Sequence, residues 1–182
     1  MAVKDIKFMN GEVYVLKDRI LTLSDCETQM AAIDYKKIYE AYSSFKDEEG
    51  VEKTNFPYVV YPFYNFVFNL NKIPMPQEIL VAYYDMYSDE ISLNGDFFIY
   101  KGKRFRKVDL DARILRTYPS LVRDFHFYLM LVESKLFEKV IYSCKDDVET
   151  GKDIVVIHNN TRYTISLFLE TKRGSAFKDI KN

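Results

Sequence analysis

The sequence predicts a mixed α/β fold of the α+β class for this chain of 182 residues. One observation is a pair of apolar, β-rich runs, residues 151–157 and 163–169, separated by Asn159-Asn160. Asn tolerates the positive φ angles that tight hairpin loops require, so the two runs predict paired antiparallel strands. The other observation is residues 121–139, where apolar side chains recur at the spacing of an amphipathic helix.

The N-terminal elements follow from local signals. Residues 11–16 and 20–23 flank a polar turn and predict an opening hairpin. One helix should follow, capped by Ser24 or Asp25, with Glu27 near the capping-box position, and extend to about residue 45. The polar residues 46–54 predict an exposed loop. Aromatic and β-branched residues dominate residues 56–70, which predicts one or two strands with a bend at Pro62.

The middle of the chain predicts a helix, a hairpin and two further helices. Pro76 favours a helix over residues 77–88, because proline suits the first helical turn. Residues 96–100 and 104–108 flank Gly102, which supplies a turn conformation and so predicts a hairpin. A short helix over residues 110–118 should end before Pro119, and the amphipathic helix should follow. We expect an N-terminal recognition or interaction lobe over residues 1–110 and a second unit over 111–182, or both packed as a single domain.

Composition limits the class of protein. Hydrophobic residues make up 48% of the chain and charged residues 29%, which is typical of a soluble globular protein. No stretch reaches the ~18–20 uninterrupted apolar residues of a membrane span, so we expect no membrane partner. The first residues lack the basic start and apolar block of a secretory signal, which favours a cytoplasmic protein. Cys26 and Cys144 are too few and too distant for a disulfide framework or a zinc site.

Basic residues are concentrated in one segment although the net charge is only −1. Eight of them lie between residues 101 and 123, against two acidic residues, and we call this segment the basic strip: Lys101, Lys103, Arg104, Arg106, Lys107, Arg113, Arg116 and Arg123. Basic residues that are clustered in this way can contact a phosphate backbone even though the net charge of the chain is nearly zero. The strip therefore predicts nucleic-acid contact, and the alternative is an ordinary solvated surface.

Acidic and basic residues meet at the open end of the last predicted hairpin. With a two-residue or four-residue loop, an odd-numbered residue pairs with an even-numbered one, so Asp153, Glu170 and Lys172 share a face. If the loop is Asn160-Thr161, Asp153 lies opposite Phe168 and diagonal to Glu170, roughly 7–8 Å away. Two carboxylates at that separation can converge on one cation.

This pattern of Asp153 on one strand and Glu170-Thr171-Lys172 on the next resembles the PD-(D/E)XK, or restriction-endonuclease-like, nuclease superfamily over about residues 120–182. The resemblance implies a restriction-endonuclease-like core of a helix and an antiparallel hairpin. It implies that Asp153 and Glu170 bind Mg²⁺ or Mn²⁺, that Lys172 helps position or activate the attacking water, and that Glu133 contributes a further carboxylate from the helix. Arg173 would help the basic strip to hold the substrate, which we expect to be DNA.

Two features depart from the family pattern, and other functions stay open. Lys152 stands where the family often has Pro, and few residues follow Lys172, as expected of a piece of a longer product. Acid-x-Lys is also a common pattern, present here at residues 5–7, 34–36, 133–135 and 179–181. One alternative is a non-catalytic protein- or nucleic-acid-interaction module that uses the same nuclease-like scaffold in a mobile-element or multi-protein complex, with a second copy or another protein as partner. Another is a binder of RNA or single strands through the basic strip.

Overall fold

The computed structural model describes residues 21–43, 50–142, 151 and 153–167, which form helices and two antiparallel three-stranded sheets. The α+β class is thus confirmed. Predictions that concern residues 1–20, 44–49, 143–150, 152 and 168–182 lie outside the described residues. The elements in chain order are α1 (Leu23–Ala31), α2 (Tyr35–Ser43), α3 (Val60–Tyr64), a π-helix (Asn65–Asn69), α4 (Pro76–Met86), β1 (Ile91–Asn94), β2 (Phe97–Tyr100), β3 (Lys103–Arg106), α5 (Lys107–Ser134), β4 (Lys139–Ile141), β5 (Ile154–His158) and β6 (Thr161–Ile165).

The predicted cap of the first helix, Ser24 or Asp25, is wrong by two or three residues. Thr22 is the N-cap: its hydroxyl accepts a hydrogen bond from the Asp25 amide (2.9 Å), and the Asp25 carboxylate accepts one from the Thr22 amide (3.0 Å). This reciprocal capping box satisfies two amides that the first helical turn leaves without partners. The single helix predicted to follow is divided into α1 and α2, which are separated by residues 32–34.

Residues 60–69 are helical, as α3 and the π-helix, so the prediction of strands over residues 56–70 is wrong. Val60, Phe63, Tyr64 and Val67 are all buried, at the i, i+3, i+4, i+7 spacing of one helical face. The aromatic and β-branched residues of the segment favour strands by propensity, and the helical spacing outweighs that propensity. Pro62 is the third residue of α3 and lies in the first turn, where a missing N–H breaks no intrahelical hydrogen bond.

The hairpin around Gly102 is confirmed. β2 and β3 pair antiparallel with Tyr100 opposite Lys103. The two turn residues, Lys101 and Gly102, have φ angles of 50° and 74°, which is the left-handed conformation expected of a tight two-residue turn. β1 adds a third strand that sequence analysis did not predict, paired with β2 across a second two-residue turn at residues 95–96.

α5 is one helix of 28 residues, so the predicted break at Pro119 is wrong. Proline inside a helix costs ~3 kcal/mol, because it removes one hydrogen bond and crowds the preceding turn. Leu115, Tyr118 and Val122, at most 1% exposed, continue the buried face through the proline. We infer that this packing outweighs the local cost. The helix crosses the boundary predicted at residues 110–111 and contacts α1, α2, α4, β3 and β4.

The core is one hydrophobic cluster that includes residues from Leu21 to Val156. Much of it is aromatic, as expected from the 15 Tyr and 14 Phe of the chain. Phe125 of α5 lies within 6.3 Å of Tyr142 and 5.7 Å of Phe68, measured between ring centroids. Within the described ranges, no helix combines the length and the apolarity of a membrane span.

The last hairpin forms as predicted but with a different loop. β5 and β6 pair antiparallel with His158 opposite Thr161, which makes Asn159-Asn160 the loop rather than Asn160-Thr161. Both loop residues have positive φ, 50° and 59°. Continued by one residue, this register places Ser166 opposite Asp153, whereas the predicted loop would have placed Phe168 there. β4 pairs with the other edge of β5 and completes a three-stranded sheet.

Candidate functional site

Asp153 lies immediately before β5, where the backbone of the hairpin holds its carboxylate. Its Oδ2 atom accepts a hydrogen bond from the backbone amide of Leu167 (2.5 Å). Leu167 follows β6, so this contact joins the two strands just beyond their ladder. The Asp153 carboxylate therefore has a defined position, because the backbone next to the paired strands holds it by a hydrogen bond.

The partners predicted for Asp153 on the second strand lie outside the described residues. These are Glu170, Lys172 and Arg173. The diagonal placement of Glu170 depended on the loop Asn160-Thr161, which the structure replaces with Asn159-Asn160. Whether Glu170 and Lys172 share a site with Asp153 therefore stays a prediction.

The acidic side chain that the structure brings to Asp153 is Asp124 of α5. Asp124 is mostly buried, with 14% of its side chain exposed, and its Oδ1 accepts hydrogen bonds from Nε (2.8 Å) and NH2 (2.5 Å) of Arg123. Burial raises the pKa of Asp124 to about 6, Arg123 opposes this rise, and the negative charge of Asp153 adds to it. Two carboxyl groups 29 positions apart thus act on each other across the interface of α5 with the last sheet.

Sequence analysis missed Asp124, although a signal for it exists. It lies three residues after Leu121 and four before Tyr128, so it interrupts the buried apolar stripe of α5. An acid at such a position needs a partner or a function. Glu133, the predicted helix carboxylate, instead accepts a hydrogen bond through Oε1 from the Leu23 amide (2.8 Å), at the first residue of α1.

Most of the basic strip interacts with the protein itself. Five of its members contact neighbouring acids or carbonyls: Arg106 with Asp109; Lys107 with Asp111; Arg113 with the carbonyls of Val51 and Thr54; Arg116 with Glu52 and the Tyr42 carbonyl; Arg123 with Asp124. The Arg106–Asp109 pair is bidentate, with both distances at 2.9 Å, and Asp109 is only 4% exposed. Arg113 and Arg116 join α5 to Tyr42 and residues 51–54, and the other three bind acids of α5 itself, so a phosphate would compete with an internal partner for each of the five.

The remaining three members of the strip are exposed on the hairpin β2–β3. Lys101 and Lys103 lie at the turn, and Arg104 stacks on the face of Phe97, with its guanidinium carbon 3.7 Å from the ring centroid. Within the described residues, no acidic side chain forms a salt bridge with any of these three. The exposed charge of the strip is thus concentrated at this hairpin.

A cleft of about 570 Å³ lies beside the same hairpin. Aromatic rings form much of its lining, which includes Tyr58, Tyr61, Tyr83, Tyr87 and Tyr100. Tyr58 is 54% exposed, and its ring makes an edge-on contact with Tyr61 at a centroid distance of 6.2 Å. Glu90 and Arg113 are the charged residues of the lining. Clefts of this size are typical of sites for small molecules.

The described side chains contain no group of three or more His, Cys, Asp or Glu residues arranged to bind a metal ion. Asp124 and Asp153 supply two carboxyl groups, and a further ligand would have to come from elsewhere. No family model, curated protein or solved structure matches this chain. The case for a function therefore rests on the residues themselves.

Proposed function

We propose that the protein is a metal-dependent nuclease that hydrolyses phosphodiester bonds, with Asp124 and Asp153 at the centre of its active site. The observation that carries the proposal is the mostly buried carboxyl group of Asp124, whose pKa is raised chiefly by burial and further by the negative charge of Asp153. Two acids in one half-buried place repel each other. A divalent cation between them would remove that repulsion.

The donor set fits magnesium or manganese. Mg²⁺ prefers oxygen ligands and is commonly held by one or two carboxylates together with water and substrate phosphates. Asp124 and Asp153 would hold it, and Glu170 is the third candidate. When bound, the ion would supply charge neutralisation at the scissile phosphate and a bound water of lowered pKa.

The protein's own residues would position and balance this site. The Leu167 amide orients the Asp153 carboxylate through its hydrogen bond to Oδ2. Arg123 holds Oδ1 of Asp124 with two donors and stabilises its ionised form. Because the pKa of Asp124 is about 6, this carboxyl group is mostly ionised at neutral pH and protonated in mild acid. Lys172 remains the predicted residue for positioning the nucleophile.

Cleavage assays test the proposal with matched variants. Plasmid, single-stranded DNA and RNA are incubated with Mg²⁺ or Mn²⁺ and the wild-type protein, Asp124→Asn, Asp153→Asn, Glu170→Ala or Lys172→Ala. We expect cleavage by the wild type and its loss in all four variants, with folding checked by circular dichroism. Asp85→Asn, which removes an exposed acid on α4, should leave cleavage unchanged.

A thermal-shift titration separates metal binding from catalysis. A cation that binds only the folded protein stabilises it by RT ln(1 + [L]/Kd), about 2.7 kcal/mol at one hundred times Kd. We expect this stabilisation at neutral pH, its decrease as the pH falls through about 6, and its absence from Asp153→Asn. Absence of cleavage and of metal-dependent stabilisation in the wild type would refute the nuclease proposal.

A non-catalytic interaction module is the second candidate, and the internal pairing of the basic strip favours it. Five of the eight cations predicted to contact nucleic acid bind acids or carbonyls of the chain. In this case the sheet β4–β6 is a scaffold, and the partner is another protein or a second copy. Light scattering at increasing concentration tests self-association, and the metal titration should then give no shift.

A further inference from the structure

The cleft beside β2 has a wall that is held rigid by hydrogen bonds. The hydroxyls of three tyrosines donate to consecutive parts of one backbone segment: Tyr100 to the Asn55 carbonyl (3.0 Å), Tyr83 to the Pro57 carbonyl (2.9 Å) and Tyr87 to the Tyr58 carbonyl (2.8 Å). Arg113 donates to the carbonyls of Val51 and Thr54 just before that segment. The rings that line the cleft therefore stand in fixed positions before any ligand arrives, which lowers the entropic cost of binding.

Exposed cations lie beside this cleft. The ammonium group of Lys101 sits 5.0 Å from the centroid of Tyr100, which lines the cleft. Lys103 is the register partner of Tyr100, so the two side chains project from the same face of the sheet. Arg104 is the next residue along β3 and projects from the opposite face. The positive charge on the cleft side thus comes from the turn, at Lys101 and Lys103.

We propose that this cleft binds unstacked bases of a single-stranded nucleic acid, with Lys101 and Lys103 contacting the adjacent phosphates. Proteins that bind single strands combine aromatic surfaces, on which bases stack, with a positively charged groove for the backbone. Both parts occur together here. The exposed ring of Tyr58 is the principal stacking surface, and the carboxylate of Glu90 accepts hydrogen bonds from exocyclic amino groups of the bases.

The inference rests on the proposed function, because it takes nucleic acid as the ligand. It adds that the substrate is bound as a single strand rather than as a duplex. A duplex keeps its bases stacked and hidden, so it cannot fill an aromatic cleft without opening. The cleft would bind a single-stranded substrate through base stacking and phosphate contacts, so binding would require neither a metal ion nor cleavage.

Binding is measured by fluorescence anisotropy with a short labelled single strand in EDTA, which prevents metal-dependent cleavage. We expect Tyr58→Ala to weaken binding about ten-fold, because one base loses its stacking partner. Tyr58→Phe keeps the ring and should bind normally. Tyr163→Ala is the matched control, since Tyr163 is 51% exposed but lies on β6. The fold should tolerate Tyr58→Ala, because the Tyr58 carbonyl that holds Tyr87 is part of the backbone.

The salt dependence of binding tests the phosphate contacts. For single strands the slope of log K against log salt changes by about 0.7 for each phosphate contact removed, so Lys101→Ala and Lys103→Ala should each lower it by about that amount. Lys37→Ala, which removes an exposed lysine of α2, should leave the slope unchanged. Arg104→Gln, on the opposite face of the sheet, should also have no effect if the cleft is the binding site.

Three results would overturn the inference. They are absence of binding, unchanged affinity in Tyr58→Ala, and equal affinity for an abasic strand of the same length. An abasic strand or heparin that binds as well as the normal strand would identify the hairpin as a site for polyanions. Binding by Asp153→Asn should equal that of the wild type. If binding depends on Tyr58 but no metal supports cleavage, the nuclease proposal fails while the cleft remains a single-strand site.

Discussion

Replacing Asp124 with Asn should stabilise the protein at neutral pH in the absence of metal. The pKa of Asp124 is raised from 3.8 to about 6, chiefly by burial. The folded state therefore holds a proton that the unfolded chain has already released, and stability falls as the pH rises through this window. A difference of about two pKa units corresponds to about 3 kcal/mol between roughly pH 4 and pH 7. The side chain is only 14% exposed, so solvent screens this effect little.

The prediction concerns the difference between the two proteins at each pH. Below about pH 4, the protonated carboxyl group and the amide are nearly equivalent, so their free energies of unfolding should agree. By about pH 7, the variant should be more stable by about 3 kcal/mol, or roughly 6–12 °C in Tm. The difference between the two free energies of unfolding removes the contributions of all other carboxyl groups that titrate in the same pH range.

Urea unfolding in EDTA measures this difference. Far-UV circular dichroism is the appropriate signal, because the chain has no Trp and its helices and strands are lost on unfolding. Asp85→Asn is the control and should show no such divergence between the two ends of the pH range. A loss of stability in Asp124→Asn that grows as the pH rises from about 4 to about 7 would refute the reasoning, since it would mean that the pair with Arg123 outweighs burial and repulsion.

Two further predictions concern the fold around α5. Arg106→Ala should destabilise the protein by about 3–5 kcal/mol in urea unfolding, because it leaves the buried carboxylate of Asp109 without its bidentate partner; a cost below about 1 kcal/mol would show that the pair contributes little. Glu133→Ala should cost about 1 kcal/mol through loss of the hydrogen bond to the Leu23 amide. Glu133→Gln keeps an acceptor oxygen and should preserve this hydrogen bond and the stability of the protein, so its behaviour in the cleavage assay tests separately whether Glu133 is the predicted helix carboxylate of the site.

Elements that local chemistry dictates were predictable from the sequence. Gly102 and the pair Asn159-Asn160 adopt the left-handed conformation that two-residue hairpin loops need, and each lies at the centre of a hairpin. Pro76 opens α4, as proline at the first helical position should. In these places one or two residues decide the structure, so the surrounding fold does not have to be known.

Elements that depend on the surrounding fold were not predictable. Residues 56–70 are rich in the aromatic and β-branched residues of strands, whereas the buried positions 60, 63, 64 and 67 have the spacing of a helix, and packing against the core favours the helix. Pro119 should end a helix in water, but buried neighbours on both sides maintain α5. The loop of the last hairpin differed from the prediction by one residue, which is enough to change the residue opposite Asp153 from Phe168 to Ser166.

The candidate site likewise has one residue that the sequence could predict and one that it could not. Asp153 was predictable because its position relative to the hairpin is local, whereas the proximity of Asp124 requires α5 to pack against a sheet formed about thirty residues later. Burial and like charge both oppose ionisation of Asp124, and Arg123, which donates two hydrogen bonds to it, offsets them only in part, because the pKa of Asp124 remains raised. The carboxylate at this position would gain from a second positive group, which is why the pair carries the proposal of a metal site.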